Sequence, residues 1–203
     1  SFRAMFRPPL RGQTAPRQPQ RSAKERNAIM NKTVWVFGLI AGGILSVMLL
    51  VTLPFADSLS GNAEVVGYAS MVAAFLLTYF GVRSYRDAVG GGTVGFGRAL
   101  AVGILITVVA SACYVVTWEA VYFGKPGFAK SFAAKMEDQV RKQNSDTAVV
   151  AKKLAEMRKF AEMYKNPAVN SALTFLEPLP VGLLIALVTA GVLSRKRKQL
   201  AAA

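Results

Sequence analysis

The stretch TVWVFGLIAGGILSVMLLVTL, residues 33–53, contains no Asp, Glu, Lys or Arg. At ~1.5 Å per residue it would span roughly 30 Å as a helix, the thickness of a hydrocarbon core. A helix on a soluble core keeps a polar face for water, and this stretch has almost none. Three further uncharged runs match it: Val65–Val82, Ala99–Trp118 and Pro178–Ser194. The spacing therefore predicts an all-α protein with four transmembrane helices.

Composition narrows the chemistry. With 203 residues, 53% of them hydrophobic and 18% charged, the chain is expected to form one compact membrane module with sizeable wet parts. It has no His, which removes Ser-His-Asp catalysis, His-ligated haem and nearly every zinc site. Its single Cys, Cys113, lies inside an apolar run and reads as a small buried hydrophobe. No nucleophile–base pair or metal-ligand constellation is visible, so the expectation is a protein without enzymatic activity, cofactor or metal.

The net charge of +14 is unevenly placed. Residues 1–29 carry Arg3, Arg7, Arg11, Arg17, Arg21, Lys24 and Arg26 against Glu25, and they are rich in proline. Such a segment is expected to be disordered. Met30-Asn31-Lys32 reads as a natural start, so residues 1–29 are expected to fall outside the native domain. Lys32 precedes the first run, Arg83, Arg86 and Arg98 follow the second, and Arg195-Lys196-Arg197-Lys198 follows the fourth. By the positive-inside rule, both termini and the second connection lie in the cytoplasm of a bacterium, beside anionic lipid headgroups of the inner membrane. Asp57, Glu64, Glu119 and Glu177 then form an acidic outer rim with Trp118 and Tyr122 beside them. No aromatic-interleaved basic platform accompanies the charge, so no nucleic-acid partner is expected.

The third connection, Glu119–Ser171, holds ten basic and six acidic residues. Phe128, Phe132, Met136 and Val140 repeat every four residues, and Val150, Leu154, Met157, Ala161 and Tyr164 repeat every three or four. Asn144-Ser145-Asp146-Thr147 supplies turn and N-cap chemistry, and Asn166-Pro167 stops the second arm. An extramembrane amphipathic helical hairpin between helices three and four follows, with arms of roughly 24 Å. It would pack on itself, on the bilayer surface, or on a protein partner docked at 127–164.

Several short motifs invite readings. Gly90-Gly91-Gly92-Thr93-Val94-Gly95 matches G-x-G-x-x-G, but a membrane helix precedes it and no acid follows until Glu119, so it reads as a turn. Asn166-Pro167-Ala168 occurs once beside a helix stop, unlike the paired copies of water channels. Gly38 and Gly42 in span one, and Gly182 and Ala186 in span four, are small residues at packing spacing. They would serve packing within the chain, with a homo-oligomer formed through span one as the alternative. In Leu176-Glu177-Pro178-Leu179-Pro180 the prolines suit a helix's first turn, with Glu177 as its N-cap. The functional alternative has Glu177 and Glu119 facing one another to bind a proton, a cation, or a basic hairpin residue such as Lys125 or Lys130. No interrupted helix pair is visible.

Gly67-Tyr68-x-x-Met71, Gly81-Val82-Arg83-Ser84-Tyr85-Arg86-Asp87, Gly95-Phe96-Gly97-Arg98-Ala99, Tyr164-Lys165-Asn166-Pro167 and Phe175–Leu183 together resemble the bacterial membrane family catalogued as domain of unknown function 4199. The resemblance covers about Met30–Lys198, with Tyr85-Arg86-Asp87 and Glu177-Pro178-Leu179-Pro180 as its fairly specific segments, and Glu119, Glu177, Pro178, Pro180, Arg83, Tyr85, Arg86 and Asp87 are the candidate functional or structural residues. It implies a four-helix inner-membrane protein with no attached activity. The expected organisation is a disordered arm at 1–29, three spans within 30–126, a periplasmic hairpin at 127–166, and span four with a basic tail at 167–203. The expected role is a non-enzymatic scaffold, sensor or partner-binding component. The alternative is a small oligomeric transporter or channel subunit using Glu119 and Glu177.

Overall fold

The computed structural model describes residues 22–55, 63–143 and 146–194. Seven helices cover them: α1 (Ala23–Phe55), α2 (Ala63–Gly90), α3 (Phe96–Gly124), α4 (Phe128–Gln143), α5 (Thr147–Tyr164), α6 (Pro167–Leu176) and α7 (Leu179–Leu193). The fold is all-α, with four segments long and apolar enough to cross a membrane: Ala23–Pro54, Val65–Val89, Phe96–Gly124 and Pro167–Leu193. Trp35, Val47, Phe80, Val116, Leu184 and Val188 are among many large apolar side chains left more than half exposed on these helices. Water would not tolerate so broad an apolar surface, whereas lipid is its natural solvent. The chain is a multi-pass membrane protein.

Two boundaries differ from expectation. Disorder, expected for all of 1–29, gives way to helix from Ala23 onward. Ser22 and Glu25 form a reciprocal capping box: the Ser22 N–H donates to Glu25 Oε2 at 3.0 Å, and the Glu25 N–H donates to Ser22 Oγ at 3.2 Å. That box starts α1 ten residues before the apolar run at Thr33. Residues 1–21 lie outside the described residues, as do Asp57, the Glu64 side chain and the basic tail Arg195–Lys198. The second difference is span four, which begins at Pro167 and is broken between α6 and α7.

α3 is the central element and packs against α1, α2, α4, α6 and α7. Lipid gives apolar helices no hydrophobic reason to associate, so close backbone approach has to supply the contact. The glycines provide it. A Cβ on Gly38 would stand 2.7 Å from Val109, and one on Gly42 would stand 2.6 Å from Cys113 Cβ. A Cβ on Gly182 would overlap Thr107, and one on Gly103 would stand 2.9 Å from Ala186 Cβ. The glycine face of α1 is thus occupied by α3 of the same chain. Next to it, Thr117 donates to Ser46 at 2.8 Å.

Two apolar clusters fill the bundle. At the end holding the α2–α3 turn, Val34, Val82, Tyr85, Ala99, Val102, Ile106, Ala190 and Leu193 pack together. Toward the hairpin, Ala41, Leu45, Met71, Ala74, Phe75, Ala110 and Tyr114 do so. The glycine run makes the α2–α3 turn, with Gly91 and Gly92 at φ 56° and 94°, conformations that side-chain-bearing residues rarely adopt. Opposite that turn, α4 and α5 form the hairpin. Asp146 caps α5, accepting from the Ala148 and Val149 N–H groups at 2.8 and 3.3 Å, and Arg158 pairs with Glu137 across the arms at 3.5 Å.

Gly182→Ala is expected to cost about 1–3 kcal/mol, because the new methyl must displace Thr107 or Phe75 in a packed seam. Gly191→Ala, with open space around its Cβ, should stay within about 0.5 kcal/mol of the parent. Unfolding midpoints in detergent micelles check both.

Candidate functional site

The polar chemistry of the described residues concentrates at the hairpin end, where α3, α5 and α6 meet. Asn166-Pro167 ends α5 and also begins α6. The Asn166 Oδ1 accepts the Ala168 N–H at 3.0 Å, and Pro167 occupies a first-turn position where a missing N–H costs nothing. On α6, Asn170, Thr174 and Glu177 follow at i, i+4 and i+7, which places them along one stripe of the helix.

Asn170 is wholly buried and is the hub of this stripe. Its Oδ1 accepts the Trp118 indole N–H at 2.9 Å and the Thr174 hydroxyl at 3.3 Å. Its Nδ2 donates to the Tyr164 carbonyl at 3.2 Å. Thr174 has a single hydroxyl proton and gives it to Asn170, so the 3.0 Å contact between the Tyr164 and Thr174 hydroxyls is donated by Tyr164. Burial holds the Tyr164 phenol above the ordinary tyrosine pKa, which keeps that proton in place.

Flanking bonds extend the seam. Ser171 Oγ donates to Glu119 Oε1 at 2.8 Å, and the Tyr114 hydroxyl donates to Glu177 Oε2 at 3.2 Å. Aromatic rings close the top. Trp118 lies 5.4 Å from Phe132 and 5.6 Å from Tyr122, and Tyr122 lies 5.4 Å from Tyr164. The apolar stripe of α4 therefore begins by packing Phe128 and Phe132 onto α3, and the stacked Phe160–Tyr164 pair ties α5 to the same cluster. The hairpin base is fixed to the bundle by rings on both arms.

Glu177 does not cap a helix N-terminus. It is the C-cap of α6, with a helical backbone at φ −63° and ψ −54°, and the N-cap of α7 is Pro178, which offers no side-chain bond. The cause is that α6 runs directly into the Glu-Pro sequence, so no extended residue precedes α7 to act as an N-cap. Glu119 accepts from the Ser171 hydroxyl and Glu177 from the Tyr114 hydroxyl. Pro178 is fully buried at the break, while Pro180 is exposed. Arg83, Tyr85, Arg86 and Asp87 lie at the opposite end of the bundle. There Asp87 pairs with Arg86 at 2.9 Å and Arg83 at 3.8 Å, and Tyr85 is buried in the apolar cluster. Those ion pairs are surface pairs worth about 0–1 kcal/mol. Among the described residues, no three His, Cys, Asp or Glu side chains gather to hold a metal.

Asn170, Thr174, Ser171, Tyr114 and Tyr164 were not among the residues marked as functional from sequence. Their signal was present as the i, i+4, i+7 polar spacing of Asn170, Thr174 and Glu177 within an otherwise uncharged segment.

Asn170→Leu would strand the buried Trp118 N–H and the Tyr164 carbonyl, and is expected to cost about 2 kcal/mol or more. Adding Trp118→Phe should recover part of that loss, because the stranded donor is removed with it. A double-mutant cycle of unfolding midpoints reads the coupling.

No curated protein and no solved structure matches the chain. One family model does, described as "Protein of unknown function (DUF4199)", over residues 36–195. That match takes in most of the first apolar span, all of the other three, the glycine seam, the hairpin and the Trp118–Asn170 site, and the chain belongs to this family.

Proposed function

We propose that the protein is a non-enzymatic component of the bacterial inner membrane that presents its hairpin to a protein partner in the periplasm. The observation that carries this reading is a second face on α5. Leu154 is buried and Met157, Ala161 and Tyr164 are half-buried, while Val149, Met163 and Phe160, the last even when stacked on Tyr164, stay exposed at 41%, 55% and 47% on a neighbouring stripe of the same helix. A helix with one satisfied face and a further apolar strip is suited to docking. Its rigid attachment through the Trp118–Tyr122–Tyr164 rings would carry a load on the hairpin into α3 and α6.

Orientation rests on Lys32, Arg83, Arg86 and Arg98 gathering at the end opposite the hairpin, which favours a cytoplasmic location for that end. In a Cys113→Ala background, Lys152→Cys in the hairpin is expected to react with a membrane-impermeant maleimide in intact cells. Gly97→Cys at the other end should react only after permeabilisation, and the reverse pattern would overturn the orientation. A photo-crosslinker at Phe160 is expected to give one dominant adduct, and one at Ala151 none. Equal yields at both positions would remove the docking reading.

A second reading, a transporter or channel subunit, draws support from the break in span four beside Glu177, since interrupted helices form ion sites in transporters. It requires ion flux in proteoliposomes that disappears with Glu177→Gln. Separate hydrogen bonding of Glu119 and Glu177 weighs against a shared ion between them.

A further inference from the structure

Three contacts set the depth of Glu177 in the bundle. Gly38 meets Val109, Gly42 meets Cys113 and Ser46 meets Thr117, each pair 71 residues apart, so α1 and α3 lie side by side in fixed register. Tyr114 therefore stands level with Gly43, the centre of the uncharged run Thr33–Leu53. Its hydroxyl bonds Glu177 Oε2 at 3.2 Å, which holds the carboxyl near that level. Span four agrees, because Glu177 lies only three residues, ~5 Å of helix, from Pro180, the midpoint of Pro167–Leu193. Glu177 thus sits within the hydrocarbon layer, deeper than the outer rim at which the sequence alone sets it.

Little at that depth can neutralise a carboxylate. Glu177 is exposed, and so are Leu176 before it and Leu183, Leu184 and Leu187 further along the span. From α3, Tyr114 gives it one hydrogen bond, while Glu119 accepts from Ser171. From α5, Tyr164 bonds Thr174, and on α2 the run Val65–Val82 offers only Tyr68 and Tyr79 as titratable groups. Glu177 is the one charged residue of Pro167–Leu193, and none of the four uncharged runs holds a Lys or Arg. Lys165, the nearest cation along the chain, pairs with Glu162 at 2.7 Å. A hard metal cation takes about six oxygen ligands, and no three His, Cys, Asp or Glu side chains gather among the described residues. One hydroxyl does not offset an ionised carboxylate among acyl chains, whereas a proton removes the charge outright.

We infer that Glu177 is a proton-binding site within the acyl layer, its carboxyl kept neutral with the proton on Oε1 while Oε2 accepts from Tyr114. A neutral carboxyl retains that acceptor, so the bond between α3 and the end of α6 survives protonation. The site does not depend on what docks at the hairpin, and it requires no ion flux.

Dicyclohexylcarbodiimide tests this, because it dissolves in acyl chains and adds to a protonated carboxyl. The O–H adds across a C=N bond, its proton going to nitrogen and its oxygen to the central carbon, and the acyl group then migrates to the other nitrogen as a stable N-acylurea. The full chain is treated in phosphatidylcholine vesicles at pH 7, and adducts are located by peptide mass spectrometry. A glutamic acid in water is protonated in only about one molecule in 500 at that pH. Glu177 is therefore expected to react on the order of a hundredfold faster than Glu156, which is exposed in the hairpin. A water-soluble carbodiimide with an added amine should do the reverse, marking Glu156 and sparing Glu177. Glu177→Gln should abolish the acylurea, and an adduct that persists in that variant places the proton elsewhere and overturns the proposal. No Glu177 adduct in the parent means an ionised or enclosed carboxyl and overturns it. Equal marking of Glu177 by both reagents means a carboxyl in water and overturns it as well.

Discussion

One buried hydrogen bond organises everything beyond the apolar runs: the Trp118 indole N–H donated to the Asn170 carboxamide. Asn170 has no exposure, so each of its polar atoms must be satisfied inside the protein. It uses its oxygen for Trp118 and Thr174 and its nitrogen for the Tyr164 backbone, which ties α3, α6 and the end of α5 in one residue. The position of α6 fixes where span four breaks and where Glu177 emerges. The position of Tyr164 fixes the base of the hairpin. A charged hub in the same place would demand a buried counter-charge, whereas a carboxamide donates and accepts in one neutral group.

The rest of the bundle is held by shape. Gly38 and Gly42 on α1, Gly103 on α3 and Gly182 on α7 each sit where a methyl would collide with a neighbour. These contacts make α3 the helix against which α1 and α7 are placed, and they consume the small-residue faces within the chain. Association of two copies would therefore have to use a different surface from the Gly38–Gly42 ridge. The outward faces carry large exposed apolar side chains such as Trp35, Leu39, Val47, Phe80 and Leu184, which suit acyl chains.

The four spans were legible because an uncharged run of membrane length has few other physical explanations, and the hairpin was legible from the repeats Phe128–Val140 and Val150–Tyr164. What escaped was where helices begin. The first span was dated from its apolar run at Thr33, but the capping box Ser22–Glu25 starts the helix in a segment whose prolines suggested disorder. The fourth span was dated from Pro178, because proline is at home in a first turn. Proline is also tolerated inside a membrane span, and Pro178 is buried at such an interruption. The bond of Glu177 to Tyr114 joins residues 63 apart, and no local pattern encodes it. Asn170 was not legible because a neutral amide at i−7 from Glu177 carries no charge to mark it within an apolar segment.

The break in span four then makes physical sense as a transition between two ways of satisfying polar groups. On the hairpin side of it, α6 points Asn170 and Thr174 at α3, where protein partners meet their needs completely. On the other side, α7 has no charged residue and buries Gly182, Ala186, Thr189 and Ala190 in the packed seam. Glu177 and the two prolines stand where one regime ends and the other begins. Interrupting the hydrogen-bond ladder lets α6 be positioned by the Asn170 bonds and α7 by the glycine contacts. The cost of the interruption is confined to the turn at Pro178 and Pro180, which lack the N–H groups a continuous helix would offer the Thr174 and Leu176 carbonyls.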